Sequence, residues 1–356
     1  MKIVHVVYSL EMGGAEILVA QLCRLQRANG HDASVIAYSN LGALGEMLVA
    51  DGIPVLVLGE APFLKTFRRF WTELKKLRPE VVHCHNPAPT LQAAIPAKLA
   101  GALRIISTRH SLVAPPHDMK EERVFNFMAR FCDWVVGICD ATCDNLRTIP
   151  GARNKRIVRV YNGVDPMEQA SPEEWPEKRG FTLLFVGRLA PIKSLHTLIR
   201  AAVLAAPRVP GLQLWIVGHG HERQRLENLV KELGAEALVT FWGERLDVAG
   251  FFSVADVYCM SSISEGLPMS LLQAMSIGLP AIVTDVGGMA EVVKNAHAGF
   301  TTPVGDSEAM ADAIVQMAGD EKRRTIFSEN AQTAYGELFT LERMDAAYME
   351  LYRRSR

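Results

Sequence analysis

Glu265 and Gln273 stand eight positions apart in the string Ser264-Glu265-Gly266-Leu267-Pro268-Met269-Ser270-Leu271-Leu272-Gln273-Ala274-Met275. Pro268 suits a first helical turn, where a missing N–H leaves nothing unpaired, and Gly278 followed by Pro280 is a stop signal. The pattern therefore predicts a helix over 268–277. The start of such a helix offers unpaired N–H groups and the positive end of a macrodipole, which suits a phosphate. A carboxylate just before the turn and an amide inside the helix would flank the anion, one reaching to each side. A nucleoside diphosphate joined to a sugar has that layout.

Other polar groups gather at predicted strand ends. A strand over 3–7 leads through Ser9-Leu10-Glu11-Met12-Gly13-Gly14 to a helix over 15–29. Gly13 and Gly14 let a ligand approach the backbone closely, or serve a tight turn chosen for packing. The loop is not GxGxxG, so a dinucleotide reading is weak. Val81-Val82-His83-Cys84-His85-Asn86-Pro87 reads as a strand running into a loop. Its HxH pair supplies two metal ligands with no third apparent, so no metal is expected. A strand over 104–108 ends in Arg109-His110, and the loop 111–120 is a candidate for acceptor contact.

Glu265, with Gly266-Leu267-Pro268 after it and a polar residue eight positions on, resembles the E-x7-E motif of retaining GT-B glycosyltransferases, most closely glycosyltransferase family 4. Three further strings are similar to that family in the same order. Gly13-Gly14-Ala15-Glu16 looks like its first loop, Gly187-Arg188-Leu189-Ala190-Pro191-Ile192-Lys193 like its G-R-L-x-x-x-K string with Ser194 in place of the final glycine, and Asp285-Val286-Gly287-Gly288 with Glu291 like its last.

The resemblance implies a GT-B fold: two Rossmann-like α/β domains with doubly wound parallel sheets and a cleft between them. The first domain would span 1–165 on the acceptor side, the second 166–340 on the nucleotide-sugar side, and the helix 341–356 would pack back on the first. It implies that Glu265 bonds the sugar hydroxyls, Gln273 the ribose, and His110 the donor sugar. Arg188 and Lys193 would neutralise the departing diphosphate, where charge builds as the bond breaks. The chain has no DxD to hold a divalent cation, so these side chains would replace a metal. Donor binding would draw on Gly13, Gly14, Arg188, Lys193, Arg245, Glu265, Gly266, Leu267, Pro268, Met269 and Gln273, with Arg245 in the loop passing the base. An amide at 273 in place of the family's second carboxylate weakens ribose binding by about 1 kcal/mol without abolishing it.

The expected activity is transfer of a sugar from a UDP- or GDP-linked donor to a hydroxyl of a carbohydrate or lipid-linked acceptor, with no cofactor, in bacterial polysaccharide, lipopolysaccharide or glycolipid synthesis. A silent sugar-nucleotide-binding protein and a GT-B epimerase are the alternatives, though the epimerase's extra acidic and histidine residues are not found as a set.

The 356 residues suit two cores, and 49% hydrophobic with 22% charged suits a soluble enzyme. A net charge of −1 gives nothing to attract nucleic acid. The run Lys2 to Tyr8 is too short for a signal peptide or membrane span, which predicts a cytoplasmic protein. Six scattered cysteines read as buried thiols, including Cys139 and Cys143 four residues apart. The helix over 63–78 carries Phe63, Phe67, Phe70, Trp71, Leu74 and Leu77 interleaved with six cations. This pattern suits either an ordinary amphipathic surface helix or peripheral contact with the inner face of the cell membrane.

Overall fold

The computed structural model describes residues 1–112, 119–149, 156–168, 177–245 and 247–354. The chain divides into two compact units, Met1–Val164 with Leu341–Arg356 and Asp165–Thr340.

In the first unit strands and helices alternate: β1 (Lys2–Val7), α1 (Gly14–Ala28), β2 (Asp32–Ala37), α2 (Gly42–Ala50), β3 (Val55–Val57), α3 (Phe63–Leu77), β4 (Val81–His85), α4 (Pro87–Leu99), β5 (Arg104–Arg109), α5 (Met119–Ala129), β6 (Trp134–Gly137), α6 (Asp140–Thr148) and β7 (Ile157–Arg159). All strand pairs are parallel, in the order β3-β2-β1-β4-β5-β6-β7. Strands so enclosed read as nearly continuous apolar runs, as Ile3 to Val7 does.

The second unit repeats the plan with β8 (Thr182–Val186), α7 (Leu195–Ala205), β9 (Gln213–Val217), α8 (Arg223–Glu232), β10 (Val239–Gly243), α9 (Ala249–Val254), β11 (Val257–Met260), α10 (Met269–Ser276), β12 (Ala281–Thr284), α11 (Gly287–Ala296), β13 (Gly299–Thr302), α12 (Ser307–Gly319) and α13 (Glu321–Leu338). Its parallel sheet runs β10-β9-β8-β11-β12-β13. A last helix, α14 (Leu341–Arg353), packs against α1 in the first unit.

Both sheets are doubly wound. Strand order reverses between β1 and β4 and again between β8 and β11, and ligands of such sheets bind beyond the carboxyl ends of the strands at these points.

Two elements differ from the sequence reading. Pro87 does not open a loop: it is the first residue of α4, a helix buried on most sides through Pro89, Ala93, Ala94 and Ala97 that runs on through an internal Pro96. Asn86 is the residue with positive φ (72°) that turns the chain into it. The second difference is edge strand β13, which the sequence pattern does not signal. Gly299 begins it at φ 157°, where a Cβ would lie 1.8 Å from the Ala281 carbonyl oxygen, so only glycine lets β13 pair with β12.

Helix α3 directs Phe70 and Leu74 into the core with Leu77 against it, while Phe63, Leu64 and Trp71 are exposed. Its apolar stripe is therefore divided between core and surface. Among the described residues no helix is long and apolar enough to cross a membrane. All six cysteines are buried, and none is in a disulfide.

Candidate functional site

The loops after β8 and β11 meet where the second sheet reverses. Ile263 N–H donates to the Ile192 carbonyl at 2.9 Å, and Ser261 Oγ donates to the carbonyls of Lys193 and Ser194, both at 3.0 Å. Ser194 sits in the left-handed region (φ 48°, ψ 39°), which explains a glycine preference there; its buried hydroxyl shares a hydrogen bond with Thr197 Oγ1 at 3.0 Å. The loop after β9 closes in from the other side. A Cβ on Gly218 would lie 2.0 Å from the Gly187 carbonyl oxygen, and one on Gly220 2.2 Å from that of Leu189.

This scaffold delivers Lys193 Nζ to Glu265 Oε1 at 2.5 Å. Ser262 Oγ donates to the same oxygen at 3.0 Å. The two charged side chains retain only 16% and 15% exposure, so the pair is poorly screened and held within one small volume. Gly266 is pinned by its carbonyl, which accepts from Gly288 N–H at 2.7 Å, so the glycines after β12 support the loop that presents Glu265.

Leu267 is buried, Pro268 is the N-cap with φ −65° and ψ 131°, and Met269 opens α10. Pro268 has no side-chain group to cap that helix, and among the described residues no side-chain cap bond is made there, so its first N–H groups keep their anion-binding capacity. Tyr258 OH and Ser270 Oγ, 2.7 Å apart, tie the first turn to β11. Gln273 lies one turn on, half-buried, and its side chain has no hydrogen-bond partner among the described residues.

The remaining candidates are placed differently. Arg188 is exposed, and its guanidinium joins neither Lys193 nor Glu265 among the described residues. Arg245 is also exposed and forms a two-pronged pair with Asp247 at 2.9 and 2.6 Å, which raises its pKa through that hydrogen bond. In the first unit Gly13 is the N-cap of α1 with extended φ (−144°), and the Glu16 carboxylate folds over it. Gly14 is open: a Cβ there would meet nothing within 4 Å. The loop 113–118, most of the acceptor-loop candidate, lies outside the described residues.

His110 ends a hydrogen-bonded row. His85 Nδ1 lies 3.0 Å from His110 Nε2, His5 Nδ1 lies 3.1 Å from His85 Nε2, and His5 Nε2 lies 2.9 Å from Gln26 Oε1. The sequence reading found no third ring for the HxH pair; parallel register puts His5 opposite His83, and the ring nitrogens of His5, His83 and His85 fall within 4.8 Å of one another. These rings already have partners. His83 spends both nitrogens on Tyr352 OH and Thr108 Oγ1, each at 2.7 Å. Burial without a neutralising carboxylate pushes His5 and His110 down to about 4 and lowers His83 and His85 as well, so all four are neutral at physiological pH. The signal that could have disclosed the row is a histidine inside the apolar run of β1.

Residues 12–168 match the model of "Glycosyltransferase Family 4" and residues 167–334 that of "Glycosyl transferases group 1". The chain belongs to glycosyltransferase family 4. EpsD of Bacillus subtilis is 29% identical over 314 residues, 81% of this chain and 82% of that one. The UDP-Gal:alpha-D-GlcNAc-diphosphoundecaprenol alpha-1,3-galactosyltransferase of Escherichia coli is 26% identical over 81% of this chain and 79% of its own. HepE of Anabaena, solved with UDP, superposes with a TM-score of 0.88 at 23% identity, covering 98% of this chain and 99% of that one. This glycosyltransferase thus has the GT-B fold, built from its two parallel-sheet domains.

Proposed function

We propose that this glycosyltransferase moves a sugar from a UDP-sugar, with retention of configuration and without a metal ion, to a hydroxyl of a lipid-linked or polysaccharide acceptor. The Lys193–Glu265 pair at the start of α10 carries the reading. A sugar diphosphate places an anion and a set of hydroxyls within a few ångströms of each other, and this pair offers a cation and a carboxylate at that separation. As the glycosidic bond to phosphate breaks, negative charge grows on the leaving oxygen. Lys193 and the free N–H groups of α10 stabilise it, and Arg188, unpaired among the described residues, is available to add a planar clamp. Glu265 accepts from sugar hydroxyls, Gln273 bonds the ribose, and Arg245 lies toward the base. The departing diphosphate takes the proton of the acceptor hydroxyl, so no enzyme nucleophile is required.

UDP as carrier is supported by the UDP in the HepE structure and by the UDP-Gal donor in the Escherichia coli relative's name; the diphosphoundecaprenol in that name supports a lipid-linked acceptor. Exposed Phe63, Leu64 and Trp71 beside Lys65, Arg68 and Lys75 would let α3 rest on an anionic membrane that carries such an acceptor. A thermal-shift panel of UDP-, GDP- and ADP-sugars followed by product analysis is the test. Stabilisation by a UDP-sugar and an acceptor-dependent product with retained configuration are expected. Donor binding with no transfer to any hydroxyl acceptor, or interconversion of the donor alone, would replace the reading by a silent binding protein or an epimerase.

A further inference from the structure

The histidine row in the first unit has a direction, and the direction is set far from His110. The Asp345 carboxylate accepts from Gln26 Nε2 at 3.0 Å on one oxygen and from Asn29 Nδ2 at 3.4 Å on the other. A carboxylate only accepts, so Gln26 must turn its NH2 toward α14 and its oxygen toward β1. That oxygen can only accept, so His5 carries its proton on Nε2. A neutral ring then has a bare Nδ1, which obliges His85 to donate from Nε2; by the same step His85 Nδ1 is bare and accepts from His110 Nε2–H. His110 is left with a bare Nδ1. That nitrogen is shielded from solvent and has no partner among the described residues, while Asn86 Oδ1 fixes the residue by accepting from its backbone N–H at 3.0 Å.

We propose that Asp345, Gln26, His5 and His85 are positioning residues that lock His110 as its Nε2–H tautomer, reserving Nδ1 as an acceptor for a hydroxyl of the bound sugar. The sugar rests on the function proposed above; the tautomer does not. The row makes His110 a hydrogen-bond acceptor with fixed polarity and not a general base, because a ring held neutral down to about 4 has little affinity for a proton at working pH. His83, its ring tilted 33° to that of His85 with centroids 4.0 Å apart, is kept out of the row by Tyr352 and Thr108, so it does not compete for the His85 nitrogens. Three strands and two helices must be in place for this polarity to exist, since the bonds join β1 to α1, β1 to β4, β4 to the end of β5, and α1 to α14.

Two-bond 1H–15N correlation spectra of the full chain, labelled at histidine, read each tautomer directly. In the wild type His5, His85 and His110 are expected as Nε2–H with bare Nδ1. Asp345→Asn presents Gln26 with an amide that serves either polarity, so a Nδ1–H population should appear at His110, with a roughly fivefold rise in the KM for donor; Asp345→Glu should restore the wild-type pattern. A Nδ1–H or doubly protonated His110 in the wild type overturns the proposal, and this needs no variant to fold. So does an Asp345→Asn protein that folds with all three tautomers unchanged. Correct tautomers with no turnover of any sugar nucleotide would refute the proposed function and leave the relay standing, whereas transfer activity with the wrong tautomers would do the reverse.

Discussion

Lowering the pH should unfold the first unit well before the second. Burial holds His5 and His110 at about 4, against an ordinary value of 6.5, and moves His83 and His85 in the same direction. A folded-state pKa below the unfolded one means that the unfolded chain takes the proton first. The stability from these rings is therefore complete above about 6.5 and is lost as pH falls toward about 4. Each ring displaced by that much is worth about 3 kcal/mol over the whole range, at roughly 1.4 kcal/mol per unit. Between about pH 7.5 and about pH 5.5 His5 and His110 each lose roughly 1.3 kcal/mol, about 2.6 kcal/mol together, and His83 and His85 act in the same direction. A loss of that size is a large part of a domain stability of about 5–15 kcal/mol. The second unit is an internal control, because His196, His219, His221 and His297 are all exposed. Native-state hydrogen exchange, corrected for intrinsic rates, should show opening free energies of β1 and β4 amides falling by several kcal/mol over this interval, with β8 and β9 changing far less. Equal losses in the two sheets would show that the four rings are not held neutral by burial, and the argument for their tautomers would weaken with it.

Lys193→Met leaves the Glu265 carboxylate with only Ser262 beside it among the described residues, which should cost roughly 1–3 kcal/mol of stability and reduce kcat/KM by about 10²–10³-fold. Wild-type kcat/KM in a folded Lys193→Met protein would remove the lysine from the mechanism. Gln273→Glu restores a second acceptor for the ribose and should bind donor as tightly or up to about fivefold more tightly, as read by calorimetry; destroyed binding would place residue 273 elsewhere. Gly218→Ala drives a Cβ into the Gly187 carbonyl at a φ of 136° and should lower stability by about 2–4 kcal/mol, visible as a drop in Tm. Gly14→Ala meets nothing within 4 Å and should leave Tm unchanged; a fall in donor affinity would assign Gly14 to close ligand approach, and unchanged affinity would leave it a turn residue.

What the sequence discloses follows from how local each cause is. Pro268 before an apolar helix and Gly278 after it place α10 within a residue at each end, because caps and stops act over one turn. Strand-loop-helix alternation gives both sheets for the same reason. Helix α4 escapes such reading because its small residues and its internal proline give no amphipathic period: it is buried on most sides, so nothing alternates. Edge strand β13 depends on a close contact between Gly299 and Ala281, whose origin lies in another strand. The histidine row is less local still. Its hydrogen bonds span 21, 80 and 25 residues, and the Gln26–Asp345 bond that orients it spans 319.

The row nevertheless obeys a simple condition. A histidine at a fully buried strand position must find a partner for each nitrogen, and the face that His5 occupies is shared with His83 and His85 through the parallel register, with Gln26 of α1 bonded to His5 and Tyr352 of α14 to His83. Each ring answers the hydrogen-bonding need of the one before it, so the requirement passes along the row until it reaches a position with no further partner among the described residues. That position is His110, at the carboxyl end of β5. Ligands of doubly wound sheets bind beyond the carboxyl ends of their strands, so this unmet need stands where the proposed hydroxyl contact requires it, and it arises from satisfying the core and not from a motif.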